Sequence, residues 1–156
     1  VLDFTPASPQ SVTDSYVEDA VMSFLQSLGN VNAENIIEQY KSISGYMAQD
    51  LKVRFDAETA EWIETVKLEN ISEVLKITDK EITSDAQGNY KVVALASRDR
   101  YANNDYLGKT DEVIEILLKL VPPKQGKRWF LQITSLVRSE SNSFRAKAIK
   151  TNKEYK

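Results

Sequence analysis

The sequence predicts an α+β domain in which three N-terminal helices pack on a curved four-stranded antiparallel sheet, and three observations lead there. Apolar residues recur at helical spacing as far as Leu68, after Asn70 the chain turns to β-branched residues with a shorter period, and the strand candidates are joined by short polar connections. Runs of helices followed by runs of strands bury their apolar faces against one another as two layers.

The first ten residues, VLDFTPASPQ, carry two prolines and no periodicity, so 1–10 reads as an extended linker. From Val12 the apolar residues Tyr16, Val17, Ala20, Val21, Phe24, Leu25 and Leu28 fall on one face of a helix over 12–28, capped by Ser11 and left through Gly29 in a left-handed conformation. A second helix runs from Asn32 with Ile36, Ile37, Tyr40 and Ile43 on one face and stops at Ser44-Gly45. The third is longer, from Tyr46 to about Leu68, with Met47, Leu51, Phe55, Trp62, Ile63 and Val66 as its apolar stripe. One core is expected to contain Phe24, Leu28, Phe55, Trp62, Leu118 and Ile133.

The first strand covers Val74 to Thr83, where Leu75 and Ile77 share one parity and Val74 and Ile82 the other, the mark of a bulge or an early break. After the turn Ser84–Asn89 a second strand spans 90–101 and leads into the polar turn Asn103-Asn104-Asp105. A third at 111–121 alternates cleanly, and a fourth at 128–138 places Trp129, Leu131, Ile133 and Val137 on one face. The domain is thus 11–138, followed by a basic tail over 139–156 with five basic residues against two acidic.

Composition narrows the chemistry. With 156 residues the chain suits one domain, and its net charge of -3 disfavours direct nucleic-acid binding over the whole surface. It contains no His and no Cys, which removes the usual general base near neutral pH, thiolate chemistry and His- or Cys-ligated metals. Isolated glycines give no phosphate-binding loop, and pairs such as Asp79 with Glu81 or Asp99 with Asp105 read as exposed strand and turn charges. No catalytic, metal or cofactor residue is expected. The chain begins at Val1 rather than Met, which reads as a fragment whose upstream anchor is absent.

The segment SYVEDAVMSFLQSLGNVNAENIIEQY at 15–40, the long amphipathic helix, the hairpin of 71–101, the DYLGKTDE turn at 105–112 and the closing strand with Trp129 together resemble the TraE family of conjugative type IV secretion, relatives of the eighth component of VirB-type systems. The resemblance spans about 15–137. It implies a nuclear-transport-factor-like (cystatin-like) fold and a periplasmic domain of a single-pass inner-membrane protein. Such a domain associates weakly with itself and with other channel subunits, as a scaffold and not an enzyme.

The fold admits an apolar pocket between sheet and helices that Tyr40, Tyr46 and Tyr90 could line, so a periplasmic small-molecule- or lipid-binding domain is the alternative, with an isomerase- or dehydratase-like enzyme as a third class. The candidate partner surface is Arg98, Arg100, Tyr101, Asn103, Asn104 and Tyr106 with Asp105, residue types enriched at protein contacts, set against a merely solvated hairpin.

Overall fold

The computed structural model of the chain describes residues 14–140, so the linker at 1–10, the Ser11 cap and the tail beyond 140 lie outside the described residues. The elements are α1 (Asp14–Gly29), α2 (Ile36–Ser44), α3 (Gln49–Glu69), β1 (Ile71–Ser84), β2 (Asn89–Ala102), β3 (Asp105–Leu120) and β4 (Leu131–Glu140). The strands form an antiparallel meander in the order β1-β2-β3-β4, the architecture expected from the sequence.

The core lies between the helices and one face of this sheet. Val17, Ala20, Val21, Phe24, Leu25 and Leu28 of α1 meet Val92, Ala94, Ile114, Ile116, Leu118 and Ile133 of the sheet, all buried. Five of the six expected core residues are buried there, but Trp62 is half-buried because Arg100 occupies the space over its ring, 4.9 Å from the centroid.

Helix ends depart from expectation for identifiable reasons. Gly29 does not adopt a left-handed conformation; positive φ belongs to Gly88, Gly108 and Gly126 and to three asparagines. Gly29 is required by proximity, since a Cβ there would collide with the side chain of Leu75 on β1. The second helix starts at Ile36 rather than Asn32: the Asn32 side-chain oxygen accepts from the Glu34 and Asn35 amides, and the Asn35 oxygen accepts from the Asn32 amide, holding a turn. The third starts at Gln49 rather than Tyr46 because residues 46–48 are drawn out along β4. There Ala48 donates to the Ile133 carbonyl and Ile133 to that of Tyr46, both at 2.8 Å. At its other end Asn70, with φ 50, supplies a left-handed exit.

In the sheet, a register shift between Ile77 and Asp79 confirms the bulge in β1 and returns Ile82 to the face of Leu75 and Ile77. The segment 105–112 is not a turn but the first half of β3; the turn is only Asn103-Asn104, whose φ of 52 and 71 make a two-residue type I′ hairpin. This half of β3 has no apolar alternation, since half of its residues are exposed and its one buried side chain is Glu112. In β4, Leu117 pairs with Ser135 and Leu118 with Ile133, so the extra residue Thr134 reverses the parity and turns Val137 outward, contrary to the expected single face. The strand spans Leu131–Glu140 rather than 128–138, with Ser139 and Glu140 paired to Val113 and Glu112, so the domain reaches past 138.

Candidate interaction surfaces

Inward-facing positions of the sheet are apolar through its middle and become charged toward one end. Glu73 precedes Leu75 on β1, Arg98 and Arg100 follow Ala96 on β2, Glu112 precedes Ile114 on β3, and Arg138 lies opposite Ile114 on β4. Their side chains link into one zigzag of ion pairs across all four strands. The Arg100 Nη2 atom lies 2.6 Å from Glu73 Oε2, Arg98 bridges Glu73 at 3.4 Å and Glu112 at 2.9 Å, and Arg138 closes the row on Glu112 at 2.7 Å. Both carboxylates are nearly withdrawn from water, with Glu73 4% and Glu112 2% exposed. Buried charge requires such pairing, since an uncompensated carboxylate is strongly penalised.

Tyr40, Thr59 and Trp62 face this row from the helices and, with Glu140 at the rim, line an open groove of about 340 Å³. Burial raises the Tyr40 hydroxyl above its usual pKa, opposed by the nearby Arg138 charge and a hydrogen bond with Trp62. The groove is poorly set up for proton transfer. Glu112 accepts from guanidinium groups through both oxygens and Glu73 through Oε2, and no group of three or more potential metal ligands occurs among the described residues.

The expected partner cluster is divided by the sheet. Arg98 and Arg100 lie on the helix-facing side in the ion-pair row, whereas Tyr101 and Tyr106 pack with tilted rings, centroids 5.3 Å apart, at the hairpin beyond it, with the Tyr106 hydroxyl donating to Asp99 at 2.8 Å. That bond raises the Tyr106 pKa. Asn103 and Asn104 shape the turn, and the Asn70 side-chain Nδ2 donates to the Asn103 side-chain oxygen. Tyr106 and its neighbour Leu107 are each 56% exposed, and Val74 lies open on the adjoining strand. Asp79 and Glu81 are exposed strand charges, as expected.

Of the tyrosines considered for a pocket, Tyr40 lines the groove just described, Tyr90 is buried in the core and Tyr46 is half-buried against it. Tyr40 is buried edge-on against Phe55, and Tyr46 packs on Phe24 while its hydroxyl accepts from the Arg128 and Trp129 amides. Sequence reading missed Glu73, Glu112 and Arg138. Glu73 and Glu112 sit at inward parities of otherwise apolar strands, which is the signal that would have found them.

Fold and core define a nuclear-transport-factor-like α+β domain. In sequence the chain matches no family model and no curated protein. Among solved structures it is similar to an IcmL-like type IV secretion system protein of Legionella pneumophila, with a TM-score of 0.70 and 13% identity over 83% of this chain and 94% of that one. It is also similar to the periplasmic domain of DotI, at a TM-score of 0.66 and 13% identity over 82% and 96%. The TraE protein, solved with 2-(2-furyl)isonicotinic acid, superposes at a TM-score of 0.67 and 8% identity over 83% and 98%. The chain therefore has the fold of these domains, as its sequence resemblance implied.

Proposed function

We propose that the chain is the periplasmic domain of a single-pass inner-membrane protein of a type IV secretion channel, and that it acts as a non-enzymatic assembly scaffold. What carries this reading is the agreement between a sequence resemblance spanning about 15–137 and a fold likeness to proteins of such systems. Anchoring raises the effective concentration of each copy, so contacts too weak to persist in dilute solution become occupied, both with itself and with other channel subunits. Deleting the protein from its native system should abolish transfer; transfer at the wild-type level would remove the assembly role.

Within this reading the exposed face of the β2–β3 hairpin, centred on Tyr101 and Tyr106, is the partner surface. Asn103 and Asn104 serve it by making the turn, and the arginines support it from behind. The test leaves both asparagines in place, because replacing them would strain positive φ. The pair Tyr101→Lys/Tyr106→Lys should abolish transfer while leaving circular dichroism and melting temperature nearly unchanged. Normal transfer in that variant would take the hairpin out of the interface.

A second reading, small-molecule binding, is favoured by the groove beside Arg98, Arg100, Arg138 and Trp62, whose guanidinium and indole groups suit an aromatic carboxylate. Titration with 2-(2-furyl)isonicotinic acid, the compound held by the TraE neighbour, should raise the melting temperature if the groove binds it, and Arg100→Ala should weaken that rise. A flat titration would leave the groove as an ion-pair lattice alone.

A further inference from the structure

We propose that the β3–β4 loop, residues 121–130, is a membrane-contact element that rests on an anionic lipid surface. This rests on the reading that the chain is anchored upstream of α1. Between Glu115 and Glu140 the sequence contains no acidic residue, and the loop VPPKQGKRWF carries Lys124, Lys127 and Arg128. Pro122, Pro123, Lys124, Arg128 and Phe130 are exposed, so apolar and basic side chains emerge together. That pairing is what interfacial segments use: basic heads meet anionic headgroups while rings and prolines enter the boundary below them.

The loop is built to hold this shape. Val121 donates to the Phe130 carbonyl at 2.9 Å, closing its base, and Lys127 donates to the Lys124 carbonyl at 3.0 Å around Gly126. Two tyrosines of the helical layer pin its return: the Tyr46 hydroxyl accepts from the Arg128 amide at 3.0 Å, and the Tyr16 hydroxyl accepts from the Phe130 amide at 2.6 Å. Trp129 is buried edge-on to Tyr16, with ring centroids 5.4 Å apart, and Arg128 stacks its guanidinium 4.6 Å from the centroid of the Trp129 ring. Little conformational freedom is left to lose on contact, which favours binding by a small surface.

Position supplies the occupant. Tyr16 lies in the first turn of α1, which begins at Asp14, so the loop is fixed to the end of the domain where the chain enters. In a protein anchored upstream, this end is the one nearest the bilayer. Asp14 is the acidic residue of that first turn, and three basic residues of the loop outweigh it. Contact would set the orientation of the domain on the membrane, leaving the hairpin at Tyr101 and Tyr106 free for partners.

The experiment is co-sedimentation of the 156-residue chain with vesicles of phosphatidylglycerol and phosphatidylcholine in equal parts, and with phosphatidylcholine alone, at low and raised salt. Binding should occur on the anionic vesicles only and fall as salt screens it. Lys124→Glu/Arg128→Glu should reduce the partition coefficient by roughly tenfold or more. Phe130→Ser should reduce it with the salt dependence kept, both variants retaining wild-type circular dichroism. Absence of binding, binding of the charge-reversed variant equal to wild type, or binding to single-stranded DNA but not to vesicles would overturn the proposal. Alkaline carbonate extraction of membranes carrying the full-length protein tests the anchor separately. Retention in the pellet without vesicle binding removes the loop and keeps the anchor, whereas release removes the anchor and with it the ground for this proposal.

Discussion

Replacing Phe24 with alanine is expected to destabilise the domain by about 3 to 5 kcal/mol, from lost burial plus the cavity left behind. Phe24 is 2% exposed at the middle of α1, and its ring lies 5.1 Å from that of Tyr46. Tyr46 in turn holds the Arg128 and Trp129 amides, so the loss should also loosen the β3–β4 loop. Urea denaturation measures it: the midpoint should drop while the slope stays near wild type. A loss below about 1 kcal/mol would mean that this helix face is not core.

Arg98→Met should cost a comparable amount, about 3 to 5 kcal/mol, for a different reason. Among the described residues Arg98 is the one side chain that pairs with both buried carboxylates, and removing it leaves Glu73 with Arg100 and Glu112 with Arg138 at their outer sides. The triple variant Glu73→Leu/Arg98→Met/Glu112→Leu separates desolvation from simple attraction. Replacing the buried charges together by apolar groups should restore much of the stability, since Arg100 and Arg138 are exposed enough to be hydrated. If the triple variant is instead less stable than the single one in the same denaturation experiment, the row contributes net attraction and desolvation is not its dominant cost.

Much of the fold is legible in the sequence because its signals are local. The face of α1 follows from a period of apolar residues, and the clean alternation of Ile114, Ile116 and Leu118 fixes the inner face of β3. What escapes is set by distant partners. Residues 46–48 have a helical pattern yet pair with β4, and Val137 turns outward because Thr134 is an extra residue opposite Leu117 and Leu118. The hairpin cluster shows the same limit: Arg98 and Tyr101 are close in sequence, but alternation along β2 sends them to opposite faces of the sheet. The ion-pair row joins residues from four strands, so only its parity could be read from sequence, and in β4 the extra residue Thr134 hides even that for Arg138.

The two stretches that link the helices lie along both margins of the sheet. Val31 exchanges hydrogen bonds with Glu73 of β1, and Tyr46 and Ala48 do so with Ile133 of β4. Each outer strand is therefore capped over part of its length, and the uncapped remainder of β1 carries the bulge with Asp79, Lys80 and Glu81, features that discourage another strand from adding. The capped and bulged length of β1 therefore offers the strand of another molecule little main chain to join, even at high local concentration.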